Sequence, residues 1–307
     1  MDEDTVSSAQ QIPPSGKPPT GPKRVAPFSL VVISTPIGNL QDLSLRAKQT
    51  LSTVDTILCE DTRTSATLLH AHGISQKCLA LHEHNESALL PALLKAMQNG
   101  QSYALISDAG TPLVSDPGYR LVRAVIEAGL PLTGIPGPNA ALLALTLSGL
   151  PPQPFLFTGF VPPKSGARQA ALAKLRGAEV AGLRVTHIFY EAPHRLVDFL
   201  HDAAATFGPR PAAICRELTK HFEEVKRGTL TELAAYYEST APRGEIVVVI
   251  GPAIEEQTSA DTLDEALLTA FASMSLKDAA AAVATATGLP KKQVYKRALE
   301  LFSKAQG

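Results

Sequence analysis

The sequence contains no tryptophan, only three cysteines and no long hydrophobic run, and these shortages exclude several classes of protein. Cys59, Cys78 and Cys215 lie far apart and form no C-x-x-C pair, which argues against a disulfide scaffold or a zinc site and predicts reduced thiols in the cytoplasm. No apolar run approaches the roughly eighteen residues of a transmembrane helix, so no membrane partner is predicted. The start, Met1–Asp4, is acidic and lacks the apolar core of a secretory signal.

The charge balance is almost neutral. Charged side chains make up 19% of the 307 residues, and the net charge is −1. A chain of this composition folds as a globular protein without a general attraction for nucleic acid. Any contact with RNA must therefore use local basic patches, and no DNA partner is predicted.

The order of apolar segments predicts an α/β fold in three parts after a tail. Residues 1–27 carry five prolines within the first twenty-two positions, among small polar residues, which predicts disorder. In residues 28–150, strand-like runs such as Thr56–Cys59 alternate with helix-like runs, as in a mostly parallel sheet covered by helices. Residues 151–253 form a second α/β stretch, with a strand-like run at Thr186–Glu191 and a helix that begins with a capping box of Thr229 and Glu232. Residues 261–307 lack strand signals and predict three helices, the last two in a helix–turn–helix arrangement.

The loop Ser107–Gly118 is the most informative segment of the chain. It follows an apolar strand, and its two aspartates, two prolines and two glycines make a rigid polar turn. Because α/β folds bind ligands beyond the carboxyl ends of their strands, this segment is predicted to be a binding loop. Asp116 is predicted to cap the next helix, with Pro117 at the first helical position.

Six further polar loops follow predicted strands, and their joint presence is stronger evidence than any single one. They are TPIGNL (35–40), CEDTR (59–63), HEHNE (82–86), PGPNAA (136–141), FYEAPHRL (189–196) and RELTK (216–220). CEDTR also fits a helix cap with a structural ion pair. HEHNE lacks the helical spacing of metal ligands, so a polar rim is favoured and no metal is predicted. The absence of G-x-G-x-x-G and of a P-loop disfavours an NAD enzyme or a nucleoside triphosphatase.

In this order the seven motifs resemble the ribosomal RNA small subunit methyltransferase I family, a branch of the tetrapyrrole methylase-like superfamily. The resemblance runs from about Ser29 to Pro252, and the helical tail is also similar. Two positions depart from the usual motif, Asn139 in place of serine and Arg243 in place of lysine. The resemblance implies a class III methyltransferase fold, with a mostly parallel first sheet, a mixed second sheet and a homodimer.

The resemblance also implies S-adenosylmethionine as the methyl donor, held in a cleft of the two-domain fold. The residues implied to bind it are Pro36, Asp108, Gly110, Thr111, Val114, Asn139, Ala140, Tyr190, Glu217 and Gly244. The implied acceptor is the ribose 2′-OH of a cytidine in the decoding region of small-subunit (16S) rRNA. A 2′-OH needs a base to take its proton, and Glu60, Asp61 and Glu83 are the candidates. Arg63 is a candidate for orienting the ribose or phosphate.

The RNA partner, as free rRNA or in the 30S subunit, requires a basic surface. Residues 275–307 carry six basic and two acidic side chains, a net charge of +4, and Tyr295 stands among the lysines. The candidate RNA-binding residues are Arg195, Lys220, Lys291, Lys292, Lys296 and Arg297, with Arg216 and Lys226 on the same predicted surface as the first two. A solvated basic helix is the alternative. Two other functions stay open, a tetrapyrrole carbon methylase and a catalytically silent RNA-binding factor.

Overall fold

A computed structural model of the chain describes residues 28–253, 260–287 and 290–305. The predicted tail over residues 1–27 lies outside the described residues. The chain divides into two compact units, one with residues up to 143 and the segment 217–223, the other with residues 144–216 and those from 224 onward. The domain boundaries placed at 150 and 253 stay predictions. Among the described helices, none has the length and apolarity required to cross a membrane.

The first unit is a five-stranded parallel sheet with helices. In chain order its elements are β1 (Leu30–Ile33), α1 (Leu45–Leu51), β2 (Thr56–Cys59), α2 (Thr62–Ala71), β3 (Cys78–Ala80), α3 (Glu86–Gln98), β4 (Tyr103–Ile106), α4 (Tyr119–Glu127), β5 (Leu132–Ile135) and α5 (Ala140–Ser148), in which the division of the chain falls. The strand order is β3-β2-β4-β1-β5, and every described pair is parallel. Strands β2 and β4 are buried throughout, as expected for a sheet covered on both faces.

The start of α4 corrects one prediction. The helix begins at Tyr119, and its cap is Gly118 at φ +114°, so Asp116 does not cap it and Pro117 is not its first residue. A Cβ at Gly118 would lie 2.6 Å from Leu105 Cδ2 on β4. Glycine is therefore required by both the backbone conformation and the packing, and the carboxylate of Asp116 is available for another role.

The second unit contains a mixed five-stranded sheet. Its elements are β6 (Phe155–Phe160), α6 (Ser165–Val180), β7 (Thr186–Glu191), α7 (Leu196–Phe207), β8 (Pro211–Arg216), β9 (Glu224–Thr229), α8 (Leu230–Ser239) and β10 (Ile246–Ile250). The order is β6-β7-β10-β8-β9, with β6 and β7 parallel and the other described pairs antiparallel. Thr229 and Glu232 form the predicted capping box of α8. The predicted fold class, a parallel first sheet and a mixed second sheet, is confirmed.

A charged network lies inside the second unit. Glu179, whose side chain is 0% exposed, accepts hydrogen bonds from both terminal nitrogens of Arg210 at 2.6 and 2.9 Å and lies 2.8 Å from His187 Nε2. Burial lowers the pKa of His187, although the neighbouring Glu179 carboxylate opposes this effect. The opposite charges of Arg210 and Glu179 compensate each other in the interior, where water does not reach them.

The C-terminal part of the described chain consists of three helices around a small core of their own. They are α9 (Ala260–Phe271), α10 (Leu276–Thr287) and α11 (Lys291–Ala305). Leu267, Val294 and Ala298 are fully buried at the centre. The three-helix prediction is confirmed, and residues 288–289 of the predicted turn lie outside the described residues.

Candidate active site

Polar loops meet at the carboxyl edge of the first sheet. In a parallel sheet all strands end at the same edge, so the segments after β1, β2, β4 and β5 lie side by side. These segments contain the predicted site residues Pro36, Glu60, Asp61, Asp108, Gly110, Thr111, Val114, Asn139 and Ala140. The structure therefore brings together most of the predicted site within the first unit.

The loop after β4 is fastened to the end of β1. Thr35, which is fully buried, forms an antiparallel bridge with Gly110, and its hydroxyl donates to the carbonyl oxygen of Ser107 at 3.0 Å. Leu113 and Ser115 have φ values of +72° and +68°. Such backbone conformations cost roughly 1–3 kcal/mol each, and they persist where the surroundings fix them, often at binding sites.

A hydrogen-bond network joins this loop to the start of α5. Thr111 Oγ1 donates to the carbonyl oxygen of Pro138 at 3.0 Å and lies within hydrogen-bond distance of Ser34 Oγ and Asn139 Nδ2, at 3.2 and 3.3 Å. A hydroxyl has one donor and two acceptor sites, so that of Thr111 is saturated. Asn139 Oδ1 also accepts from the backbone N–H of Leu142 at 3.1 Å. The side chains of Thr111 and Asn139 therefore hold the loop in place.

Three carboxylates lie close together at this edge, on the loops after β2 and β4. Burial and the charges of Glu60 and Asp108 raise the pKa of Asp116 to about 6, although a hydrogen bond with Ser107 acts in the opposite direction. Burial and the charge of Asp108 likewise raise the pKa of Glu60. We call Glu60, Asp108 and Asp116 the carboxylate cluster. Asp116, which the sequence assigned to a helix cap, thus belongs to the candidate site.

Asp61 differs from its neighbour Glu60 in its hydrogen bonds and in the direction of its pKa shift. Its Oδ1 caps α2 by accepting the backbone N–H of Arg63 at 2.8 Å, and its two oxygens bind the Arg63 guanidinium at 3.2 and 2.8 Å. The hydrogen bonds from Arg63 lower the pKa of Asp61 to about 2. The backbone N–H of Asp61 donates to Asp108 Oδ1 at 3.1 Å. The cap with an ion pair, left open by the sequence, is the arrangement that Asp61 and Arg63 adopt.

The loop after β3 adds an imidazole to this edge. His82 is half-buried, its positive form lowers the pKa of Glu60, and its Nδ1 has no hydrogen-bond partner among the described residues. Asn85 fixes the turn by accepting the backbone N–H of His82 at 2.9 Å and donating to the carbonyl oxygen of Ala80. The sequence singled out this loop as a polar rim but gave no reason to place His82 beside Glu60.

The 217–223 loop, defined as residues Glu217–Glu223, also packs in the first unit. Its Thr219 Oγ1 accepts the backbone N–H of Asn39 at 3.1 Å. A Cβ at Gly38 would collide with Lys220 Cγ and would lie 2.7 Å from Thr219 Oγ1 and 2.9 Å from the carbonyl oxygen of Leu218. The glycine of the TPIGNL motif is therefore explained by the close approach of this loop, which the sequence did not reveal.

Replacing Gly38 by alanine is expected to loosen this contact. Because one of the colliding atoms belongs to the backbone, the loop must shift, at a cost of about 1–3 kcal/mol in the free energy of unfolding. Denaturant titration measures the cost, and hydrogen exchange of the Asn39 amide reports the lost hydrogen bond. Gly177→Ala is the control, since a Cβ at this helical position meets nothing within 4 Å. Unchanged exchange at Asn39 in G38A would contradict the prediction.

The remaining predicted cofactor residues lie in different surroundings. Glu217 is in the 217–223 loop at φ +51°, where it accepts a hydrogen bond from Lys220 Nζ at 2.8 Å. Tyr190 and Gly244 lie in the second unit. The Tyr190 ring contacts Phe157 and Phe160, and Gly244 has φ +80°.

The predicted RNA-binding residues divide into paired and exposed groups. Arg297 is paired within the helical bundle, where its guanidinium binds Asp264 through two nitrogens at 2.7 and 2.6 Å and Glu300 at 3.0 Å. Arg195 is tied to Glu191, with Nε 3.0 Å from Oε1. Other members of the second predicted surface are engaged as well, with Arg216 on Glu224, Lys220 on Glu217 and Lys226 over the Tyr236 ring. Lys291, Lys292 and Lys296 on α11 are exposed.

Family models agree with this architecture. A model described as tetrapyrrole (corrin/porphyrin) methylases matches residues 29–234, and one described as the RsmI C-terminal HTH domain matches residues 256–302. Two solved structures share the fold. Diphthine synthase has a TM-score of 0.55 at 14% identity, over 73% of this chain and 90% of its own, and uroporphyrin-III-C-methyltransferase from Thermus thermophilus has a TM-score of 0.50 at 19% identity, over 72% and 93%.

Relatives with curated names indicate the group of methylases to which the chain is similar. The protein named ribosomal RNA small subunit methyltransferase I in Mesorhizobium japonicum is 48% identical over 91% of this chain and 94% of its own length. The protein of the same name in Escherichia coli O157:H7 is 44% identical over 88% and 94%. The chain therefore belongs to the tetrapyrrole methylase family, within the group of ribosomal RNA small subunit methyltransferase I proteins.

Proposed function

We propose that the protein is a cytoplasmic, homodimeric methyltransferase that transfers a methyl group from S-adenosylmethionine to the ribose 2′-OH of a cytidine in the decoding region of 16S rRNA. The observation that carries the proposal is the carboxylate cluster beside a strained loop at the ligand-binding edge of a methylase-family fold. The relatives named as rRNA methyltransferases support the choice of acceptor.

The residues at this edge fit S-adenosylmethionine by charge and by hydrogen bonding. The cofactor carries a sulfonium and an ammonium group, and its ribose and ammonium are hydrogen-bond donors. Half-buried Asp108 supplies acceptor oxygens, and the carboxylate cluster supplies negative charge. Asp108, Gly110 and Val114 of the loop after β4 would hold it, with Pro36 and Ala140 beside them. When bound, the cofactor supplies an electrophilic methyl group.

Glu60 is the proposed base among the three candidates. Asp61 is committed to Arg63 and to the cap of α2, and its pKa near 2 makes it a weak base. Glu60 remains accessible at the site, and its partial desolvation together with the charge of Asp108 raises its pKa, which strengthens it as a base. Glu60 would accept the proton of the ribose hydroxyl as that oxygen bonds to the methyl carbon. The bond between this carbon and the sulfonium sulfur would break, and a neutral thioether would leave. Positioning of the two reactants supplies much of the remaining rate.

Incubation with methyl-labelled S-adenosylmethionine and 30S subunits tests the proposed activity. We expect label in 16S rRNA from intact 30S subunits or from free rRNA, and none in added tetrapyrrole. A protein that binds both cofactor and RNA without transferring label would be the catalytically silent factor instead. Label in tetrapyrrole alone would assign the small-molecule methylase.

The exposed lysines of α11 supply the proposed RNA contact. Replacing Lys291, Lys292 and Lys296 together by glutamine is expected to weaken RNA binding and to lower the slope of log K against log salt by about 2, since each phosphate contact to a single strand contributes roughly 0.7. Binding titrations at several salt concentrations measure this slope. Cofactor affinity should not change.

A triple variant of the same charge provides the control. Lys48, Lys95 and Lys174 are exposed on helices α1, α3 and α6, and their replacement by glutamine changes the net charge equally. If this variant lowers the slope as much as the α11 variant does, the contact is a matter of net charge and α11 is not the RNA surface.

A further inference from the structure

Phe222 is the most exposed phenylalanine or tyrosine in the described part of the chain, with 69% of its surface accessible. It lies in the 217–223 loop, next to His221, whose ring centre is 4.8 Å away at an angle of 73°. Single exposed apolar side chains are common on protein surfaces. Phe222 differs from such scattered side chains because the loop that carries it is held in one conformation.

Internal hydrogen bonds hold the 217–223 loop in one conformation. The backbone N–H of Thr219 donates to Glu223 Oε2 at 2.6 Å, and the backbone N–H groups of Lys220 and Glu223 donate to the carbonyl oxygens of Glu217 and Lys220. Glu217 and Thr219 have φ values of +51° and +66°. Together with Leu113 and Ser115 of the loop after β4, they are the non-glycine residues with positive φ in the described ranges.

The position of the loop connects it to the candidate active site. It packs on Gly38 and Asn39, which follow β1 at the carboxyl edge of the first sheet. The same edge carries the carboxylate cluster and the proposed base Glu60. An aromatic ring presented from this loop thus stands on the side of the first sheet where the acceptor must be bound.

The charges of the loop indicate which part of an RNA it contacts. Lys220 is paired with Glu217, and Glu223 accepts a backbone N–H, so the loop offers no surplus of positive charge for a phosphate. Phe222 offers a flat apolar face instead. Nucleobases of single-stranded RNA stack on such faces, and the interaction tolerates any base.

We propose that Phe222 is a stacking platform for a nucleobase of the single-stranded RNA acceptor. The inference rests on the proposed function and adds a binding subsite to it. Stacking on one base contributes about 5- to 150-fold to affinity. The loop that carries the ring is fixed before RNA binds by its own hydrogen bonds and by its contacts with Gly38 and Asn39.

Tryptophan fluorescence gives a direct test, because the chain contains no tryptophan of its own. In the full-length Phe222→Trp variant, oligocytidylate is expected to quench the emission. An abasic oligomer with the same sugar–phosphate backbone should leave it unchanged. Ile126→Trp in the last turn of α4 is the control, since Ile126 is 57% exposed and α4 runs from the carboxyl edge of the first sheet toward the opposite edge. Equal quenching in both variants, or quenching by the abasic oligomer, would overturn the proposal. So would a spectral shift that depends on protein concentration without RNA, which would indicate a second copy as the occupant.

Kinetics separate this proposal from the proposed function. Phe222→Ala is expected to raise KM for 30S subunits by about 5- to 150-fold with unchanged S-adenosylmethionine affinity, and Phe222→Trp should restore it. If the wild type methylates rRNA while F222A behaves identically and F222W gives no quenching, stacking is wrong and the function stands. If the wild type transfers no methyl group to rRNA, the function fails whatever the fluorescence shows.

Discussion

Replacing Glu60 by glutamine is expected to lower kcat for rRNA methylation by about 10²- to 10⁴-fold, the usual contribution of a general base. The amide keeps the size of the side chain and removes the proton acceptor. Because Glu60 is exposed at the end of β2, the substitution should leave the fold intact. Single-turnover rates with 30S subunits measure the effect, and calorimetry checks that S-adenosylmethionine still binds.

Two variants control for the choice of base. Glu83→Gln changes an exposed carboxylate in the loop after β3 and should leave kcat unaltered. Asp61→Ala removes the cap of α2 and the partner of Arg63, so it should reduce stability by about 1 kcal/mol and affect kcat less than E60Q does. A large fall in kcat for E83Q with normal turnover in E60Q would reverse the assignment.

The carboxylate cluster also determines how kcat depends on pH. A base must be unprotonated, so kcat is expected to fall as the pH drops through the titration of the carboxylate cluster, whose Asp116 has a pKa of about 6. The interacting groups titrate together, so the observed midpoint belongs to the cluster as a whole. Asp116→Asn removes one negative neighbour of Glu60 and should move the acidic limb of the pH–rate profile to lower pH.

Replacing Arg210 by methionine is expected to lower the free energy of unfolding by about 3–5 kcal/mol. The Glu179 carboxylate, which is inaccessible to solvent, would lose its two hydrogen bonds from Arg210 while its contacts with His187 and the half-exposed Arg176 remain. Denaturant titration measures the loss. Adding Glu179→Met to the same chain should recover part of it, because no buried charge is then left unpaired.

Arg123→Met is the matched control for this prediction. Its guanidinium pairs with Glu127 at 2.5 Å on the exposed face of α4, and exposed pairs contribute at most about 1 kcal/mol. A loss in R210M no larger than in R123M would contradict the role of the network.

Burial lowers the pKa of His187 below the 6.5 of the unfolded chain, so the unfolded state binds more protons. Wild-type stability should therefore decline as the pH falls below about 6.5.

The sequence predicted the elements of the fold because they depend on local patterns. The predicted strands Thr56–Cys59 and Thr186–Glu191 match β2 and β7, and the capping box at Thr229 appears as expected. The placement of the loop at 107–118 beyond β4 was also predicted, because parallel sheets put their loops at one edge. These features follow from periodicity and from the chemistry of turn residues.

The sequence could not predict contacts that join distant segments. Asp116 precedes a proline and a glycine, as a helix cap often does, yet Gly118 takes that position because its φ of +114° and the Leu105 side chain admit no other residue. The contact of Gly38 with the 217–223 loop spans about 180 residues. Arg297 resembles its lysine neighbours in sequence, and only its distance to Asp264 shows that it is paired.

The position of the transferred methyl group on the RNA tests the central claim most directly. After reaction with labelled S-adenosylmethionine and 30S subunits, the decoding-region fragment of the 16S rRNA is isolated by hybridisation and nuclease protection. The fragment and the rest of the rRNA are digested separately to nucleosides, and the labelled product in each is identified by mass spectrometry. The account predicts 2′-O-methylcytidine from the decoding region, in an amount that falls sharply in the E60Q variant. Label on a cytosine base, or an unchanged yield in E60Q, would contradict it.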